Sequence, residues 1–109
     1  MIEISSPTRR AMIKTGTYTG DGNDNRTINI GIDLTAKSNV LLIIKRSGPS
    51  GPMFRIEYGQ GDLSMHFGAS SDDANCIQAF VSTGFQIGTA DEVNDDGSLY
   101  RYIAFWQES

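Results

Sequence analysis

Apolar and polar residues alternate along most of this chain. Ile28, Ile30 and Ile32 fall on one side, with Thr27, Asn29 and Gly31 between them. Phe54, Ile56 and Tyr58 are set against Met53, Arg55 and Glu57, and "DLSMHF" sets Leu63, Met65 and Phe67 against Ser64 and His66. Phe85 and Ile87 share a side of "GFQIG". A period of two predicts strands with one buried face, the apolar set inward and the polar set outward. Helical periodicity is nearly absent.

Two runs break the alternation. "NVLLIIKR" at 39–46 and "LYRYIAFW" at 99–106 are apolar at nearly every position. Such runs fit strands covered on both faces, or covered on one by the fold and on the other by a partner subunit. Turn signals separate the runs: Asp21-Gly22, Ser47 to Pro52, Gly59-Gln60-Gly61, Gly68, Gly84, and Asp96-Gly97 as a hairpin signal before the last strand. About seven to nine short strands at this spacing predict an all-β fold, an antiparallel β-sandwich or flattened barrel. At most one short helix is expected, and "SSDDANCIQAF" is open between a capped turn and a strand.

The length, 109 residues, suits one domain with a single core. Residues 1–10, "MIEISSPTRR", read as a flexible N-terminal arm, leaving 11–109 as the β-domain. The formal net charge of −4 divides unevenly. Residues 1–55 hold eight Lys/Arg against four Asp/Glu, and the remainder holds nine Asp/Glu against Arg101 alone. Segregated halves would steer docking between copies, whereas interleaved strands would mix the signs. An isoelectric point near 4.7, with no basic stripe beyond Arg9, Arg10 and Lys14, argues against nucleic acid as a partner. A single cysteine, Cys76, has no intramolecular partner for a disulfide. No apolar stretch reads as a signal peptide or membrane span, so a soluble chain made in a cytoplasm is expected, with no membrane partner.

Candidate chemistry concentrates in two polar loops. In "GDGNDN", Asp21, Asn23, Asp24 and Asn25 offer hard oxygen ligands within five residues, which suits calcium. Asp and Asn also tolerate left-handed backbone and hydrogen-bond their own chain, so the same residues make a strand connection with no ion. That reading is preferred, and no metal or cofactor is expected. Asp91, Glu92, Asp95 and Asp96 crowd a second loop, read likewise as a solvated turn. A hydrolase using these acids would need carboxylates placed about a cleft, which no spacing here establishes. His66, the only histidine, is placed outward by the alternation, and no nucleophile motif joins it to Cys76. No catalytic residue is assigned. Tyr100, Tyr102 and Trp106 share one face of the last strand. They suit a core, a subunit interface or a sugar platform, and they stand as the interface candidates.

Taken in order, "KTGTYTGDGNDNR", an aliphatic run ending in Lys45, "GFQIG", "VNDDG" and "YIAF" resemble a β-rich module of tailed-bacteriophage virion proteins. That module shows G-x-Y-x-G-[ND]-G-x-D-N-R, then a G-F-x-[VIL]-G turn, V-N near a glycine, and a closing Tyr-x-Ala-Phe/Trp strand. The matching residues include Gly16, Tyr18, Gly20, Gly22, Asp24, Asn25, Arg26, Gly84, Phe85, Val93, Asn94, Tyr102 and Phe105. The chain departs from the pattern at "GIDLTAKSNVLLIIK", where the family more often has a Phe and a Pro-Asp. The resemblance brings no catalytic residues. It implies a non-enzymatic structural part of a virion, made in a bacterial host. The expected role is a capsid decoration or cement protein, a homo-oligomer (dimer or trimer) bound to the major capsid protein or another virion protein. In that reading the arm, with Arg9, Arg10 and Lys14, meets acidic capsid surface. The alternative is a receptor- or glycan-binding module of a tail or head fibre.

Overall fold

A computed structural model describes residues 10–48, 51–56, 63–66 and 72–108. These residues form nine strands, β1 Arg10–Thr19, β2 Arg26–Asn29, β3 Ser38–Arg46, β4 Met53–Ile56, β5 Ser64–His66, β6 Asp72–Asp73, β7 Ile77–Val81, β8 Gly84–Ile87 and β9 Leu99–Glu108. One α-helix, α1, spans Asp91–Asn94, and a 3₁₀ turn spans Leu34–Ala36. All strand pairs are antiparallel, in a six-stranded sheet ordered β1-β9-β3-β4-β5-β6 and a three-stranded sheet ordered β2-β8-β7. The all-β sandwich expected from the alternation is the fold. In the segment left open, Asp72–Asp73 and the residues from Ile77 on are strand rather than helix, and the helix forms instead in "DEVN". Asp96-Gly97 does make a turn, with Gly97 at φ 85° and Ser98 N donating to Asp95 O. It is not a hairpin, because β8 and β9 belong to different sheets.

The core lies between the sheets. Tyr100, Tyr102, Ala104 and Trp106 of β9 and Leu42 and Ile44 of β3 meet Ile28, Ile77, Phe85 and Ile87 of the small sheet, all buried. Aromatic rings pack on one another within it: Tyr18 stacks on Tyr100 at 5.2 Å between centroids, and Phe85 meets Tyr102 edge-on at 5.6 Å. Both geometries are favoured by ring quadrupoles. Gly16 in β1 gives Tyr102 room, since a Cβ there would lie 2.5 Å from the phenol oxygen.

Two strands face the opposite way from the expectation. Met53 and Arg55 are buried in β4, while Phe54 and Ile56 are only half-buried on the outer side. In β5, Ser64 is fully buried and Met65 is half-buried, and Leu63, just before the strand, is 39 % exposed. Register supplies the reason. Leu41 and Ile43 of β3 face away from the core, and they pair with Ile56 and Phe54, whereas the buried Leu42 and Ile44 pair with Arg55 and Met53. Directly paired residues share a sheet face, so the apolar set of β4 follows the outer set of β3. The inward polar groups are engaged by neighbouring backbone. Ser64 Oγ accepts from Ile77 N, and Arg55 Nη1 donates to the Leu63 and Ile77 carbonyls, with its guanidinium 5.8 Å from the Phe80 ring centre.

The strands of the two sequence halves interleave, with β9 between β1 and β3 and β8 beside β2. Charges therefore mix, as in the pairs Lys37–Glu108 and Arg46–Asp95. Expectations for Tyr58, Glu57, Phe67, the 59–61 turn and the outward His66 side chain lie outside the described residues.

Candidate functional site

The polar loop after β1 is built by its own side chains. Asp21 Oδ1 accepts from Asn23 N at 2.9 Å, Asp24 Oδ1 accepts from Asn25 N at 2.9 Å, and Asn25 takes a left-handed φ of 53°. These local bonds turn the chain from β1 into β2. The loop is then locked to α1 by Asn94, which is fully buried. Its Oδ1 accepts from Asp21 N and Arg26 Nη1, both at 3.0 Å, and its Nδ2 donates to Asn23 O at 2.8 Å and Gly88 O at 3.1 Å. Arg26 also donates to Thr19 O, pairs with Asp21 Oδ2 at 3.4 Å and lies 5.6 Å from the Tyr18 ring centre. Tyr18 Oη donates to Val93 O at 2.7 Å. Gly20 lets the loop approach the next one: a Cβ there would fall 2.1 Å from Asp95 O.

The electrostatics agree with this structural use. The Asn23 amide, with smaller help from Arg26 and Asn94, holds the Asp21 carboxyl below its ordinary range. Burial drives the phenols of Tyr18, Tyr100 and Tyr102 upward, so they stay neutral. Asp21, the loop's best ligand, is thus engaged through both oxygens. Among the described residues, no group of three or more His, Cys, Asp or Glu is placed to hold a metal ion. In the second acidic loop, Asp95 Oδ2 takes Arg46 Nη2 at 2.6 Å and Ser98 Oγ at 3.0 Å, and the Asp91 carbonyl accepts from Tyr100 Oη. A cavity of about 390 Å³ opens beside Leu34, Lys37, Arg55 and Phe80. Lys37 is bonded there to Glu108, and Arg55 to backbone carbonyls.

The residues singled out as an interface do not come together. Arg9 and the rest of 1–9 lie outside the described residues. Arg10 is no part of an arm: it opens β1 opposite Glu108. Lys14 stands exposed in mid-strand opposite Ala104. Tyr100, Tyr102 and Trp106 are buried in the core, so neither the interface nor the sugar platform expected of them forms. The physical reason is again phase. Both faces of β9 are apolar, period alone cannot say which is inward, and the bulky rings fill the space between the sheets. Cys76 is buried and takes part in no disulfide among the described residues.

The surface that β9 does offer is its other face. Ile13, Leu41, Ile43, Ile103 and Phe105 lie together there: Ile13 and Leu41 flank Phe105 on its two sides, and Ile43 pairs with Ile103. Ile56 and Met65 extend the apolar face across β4 and β5. Ile13 is 59 % exposed, and the others are half-buried. Lys45 and Arg101, directly paired, stand at one end of it, and the Asn39 and Gln107 side chains, bonded to each other, stand at the other. The doubly apolar runs of β3 and β9 signalled such a face. Its extension through β4 and β5 was hidden by the assumption that apolar means inward.

Comparison with known protein families, with curated proteins and with solved structures gives no match.

Proposed function

We propose that this chain is a non-enzymatic structural protein of a tailed-bacteriophage particle, a capsid decoration protein that works by lateral contact with protein subunits. One observation carries the reading: a sandwich whose large sheet turns a continuous apolar face to solvent. Contiguous apolar patches of this size on a soluble domain are characteristically contact surfaces. The order of motifs shared with the virion module supports the setting. Those motif residues, Tyr18, Gly20, Arg26, Val93 and Asn94, are the ones that lock the loops together. They act in the scaffold, and the open sheet face does the binding. The fibre alternative, as a glycan-binding platform, loses the three aromatic residues on which it rested.

Copy number tests the reading. Particles purified from lysates of the bacterium that carries the gene are analysed by quantitative mass spectrometry. A shell component is present in hundreds of copies, an expectation from symmetric assembly. Absence from particles, or presence in a handful of copies, overturns the decoration role.

A further inference from the structure

The proposed role leaves open what the outer sheet face meets, and resting on that role we propose that it meets a second copy of this chain. The contact is a two-fold, face-to-face packing of the six-stranded sheets centred on Ile43, Ile103 and Phe105.

Size is the first argument. Five strands spaced about 4.8 Å apart, with the four outward residues of β9 about 6.8 Å apart because only alternate residues face out, and with shorter stretches on β4 and β5, give a face of about 500 Å² in plan. Side-chain relief raises the accessible area toward the ~800 Å² per partner of a standard interface. Its anatomy also fits, an apolar centre with Lys45, Arg101, Asn39 and Gln107 as a polar rim.

Charge is the second. The molecule carries a net −4, so copies repel one another on average. On β1, β9, β3, β4 and β5 the register directs only Lys45 and Arg101 among charged residues to this face, and Asp72 of β6, opposite Met65 at the sheet edge, is the one acidic position it adds among the described strands. Two copies meeting here keep the acidic residues of the central strands on the far sides, with Asp72 at the edge. A two-fold axis running across the strands then sets Lys45 and Arg101 of one copy against the Asn39 and Gln107 amides of the other, rather than cation against cation. The packing reproduces the sheet-on-sheet geometry of a sandwich core, at about 10 Å separation.

Sedimentation equilibrium on the full chain tests this. The expected result is a species of twice the 11.9 kDa chain mass. Ile103→Lys is expected to weaken association at least about a hundredfold, because a two-fold contact carries the lesion twice. A wild-type monomer at high micromolar concentration overturns the proposal, as does a dimer that Ile103→Lys leaves intact. Should that variant misfold, hydroxyl-radical footprinting of the unmutated chain on either side of its dissociation concentration decides. Protection of Phe105 and Met65 at high concentration upholds the contact, and unchanged labelling overturns it. A chain abundant in particles yet monomeric alone removes the dimer and leaves the decoration role standing. A dimer absent from particles does the reverse.

Discussion

Replacing Asn94 by Ala should cost this fold more than any other single polar truncation among the described residues. The side chain is fully buried and holds four partners, the Asp21 amide, the Arg26 guanidinium and the carbonyls of Asn23 and Gly88. Gly88 is buried, so its carbonyl loses a partner that water does not readily replace, a penalty of about 1–3 kcal/mol. The other three lie nearer solvent, and each loses about the net worth of a hydrogen bond, ~0.5–1.5 kcal/mol. Rehydration of the loop recovers part of this, which leaves a loss of about 3–5 kcal/mol against a domain stability of order 5–15 kcal/mol. Urea unfolding followed by circular dichroism measures it, with a lowered midpoint at unchanged slope. Asn94→Asp refines the test. It keeps an oxygen for Asp21 and Arg26 but aims a second acceptor at two carbonyls, so it should be at least as damaging at neutral pH. Its deficit relative to the wild type should narrow once acid protonates the new carboxyl and restores a donor. A loss below about 1 kcal/mol in Asn94→Ala, the scale of one ordinary hydrogen bond, would refute the idea that this residue locks the loops.

Other predictions follow from the same geometry. Tyr18, Tyr100 and Tyr102 have folded pKa values raised by burial, so their contribution is complete below the unfolded phenol value of about 10 and is lost as pH rises beyond it. Thermal melts should therefore collapse above about pH 10, and Tyr18→Phe should flatten that limb while costing about 1 kcal/mol at neutral pH. Asp21 and Glu108 have lowered values, the first chiefly through the Asn23 amide and the second through Lys37, so their stabilisation is present above about pH 4 and lost as pH falls further. Asp21→Asn should make the acid limb of a melting-temperature profile shallower. Gly20→Ala drives a methyl into the Asp95 carbonyl at 2.1 Å and should cost more than the ~1–3 kcal/mol of ordinary overpacking, read as loss of soluble folded protein or a large fall in urea midpoint. Millimolar calcium should leave the melting temperature unchanged, whereas a rise would reinstate a cation site in the loop.

Much of this architecture was legible in the residues. Period-two runs identify the strands because side chains on a strand alternate whatever the partner, and "GDGNDN" reads as a chain reversal because Asp and Asn carry the acceptors that make one. The phase of a strand is a different matter. In β4, Met53 and Arg55 against Phe54 and Ile56 is a clean alternation, yet it is the set with the arginine that faces inward, where carbonyls of Leu63 and Ile77 receive the guanidinium. Only pairing with β3 decides that, and pairing is a long-range fact. The same ambiguity misassigned Tyr100, Tyr102 and Trp106 to a surface. Asn94 stood in the sequence only as a motif position with no role, because an isolated Asn in an acidic loop looks like turn chemistry and its partners come from segments as many as 73 residues away.

The central claim is that the large sheet turns its second apolar face to solvent in the single chain. Maleimide labelling of Ile43→Cys, at a concentration too low for self-association, tests it most directly, with buried Cys76 as the internal control. The introduced thiol should react readily, though more slowly than in the denatured protein, while Cys76 stays unmodified. If both thiols resist alike, that face is buried within the chain and the account fails.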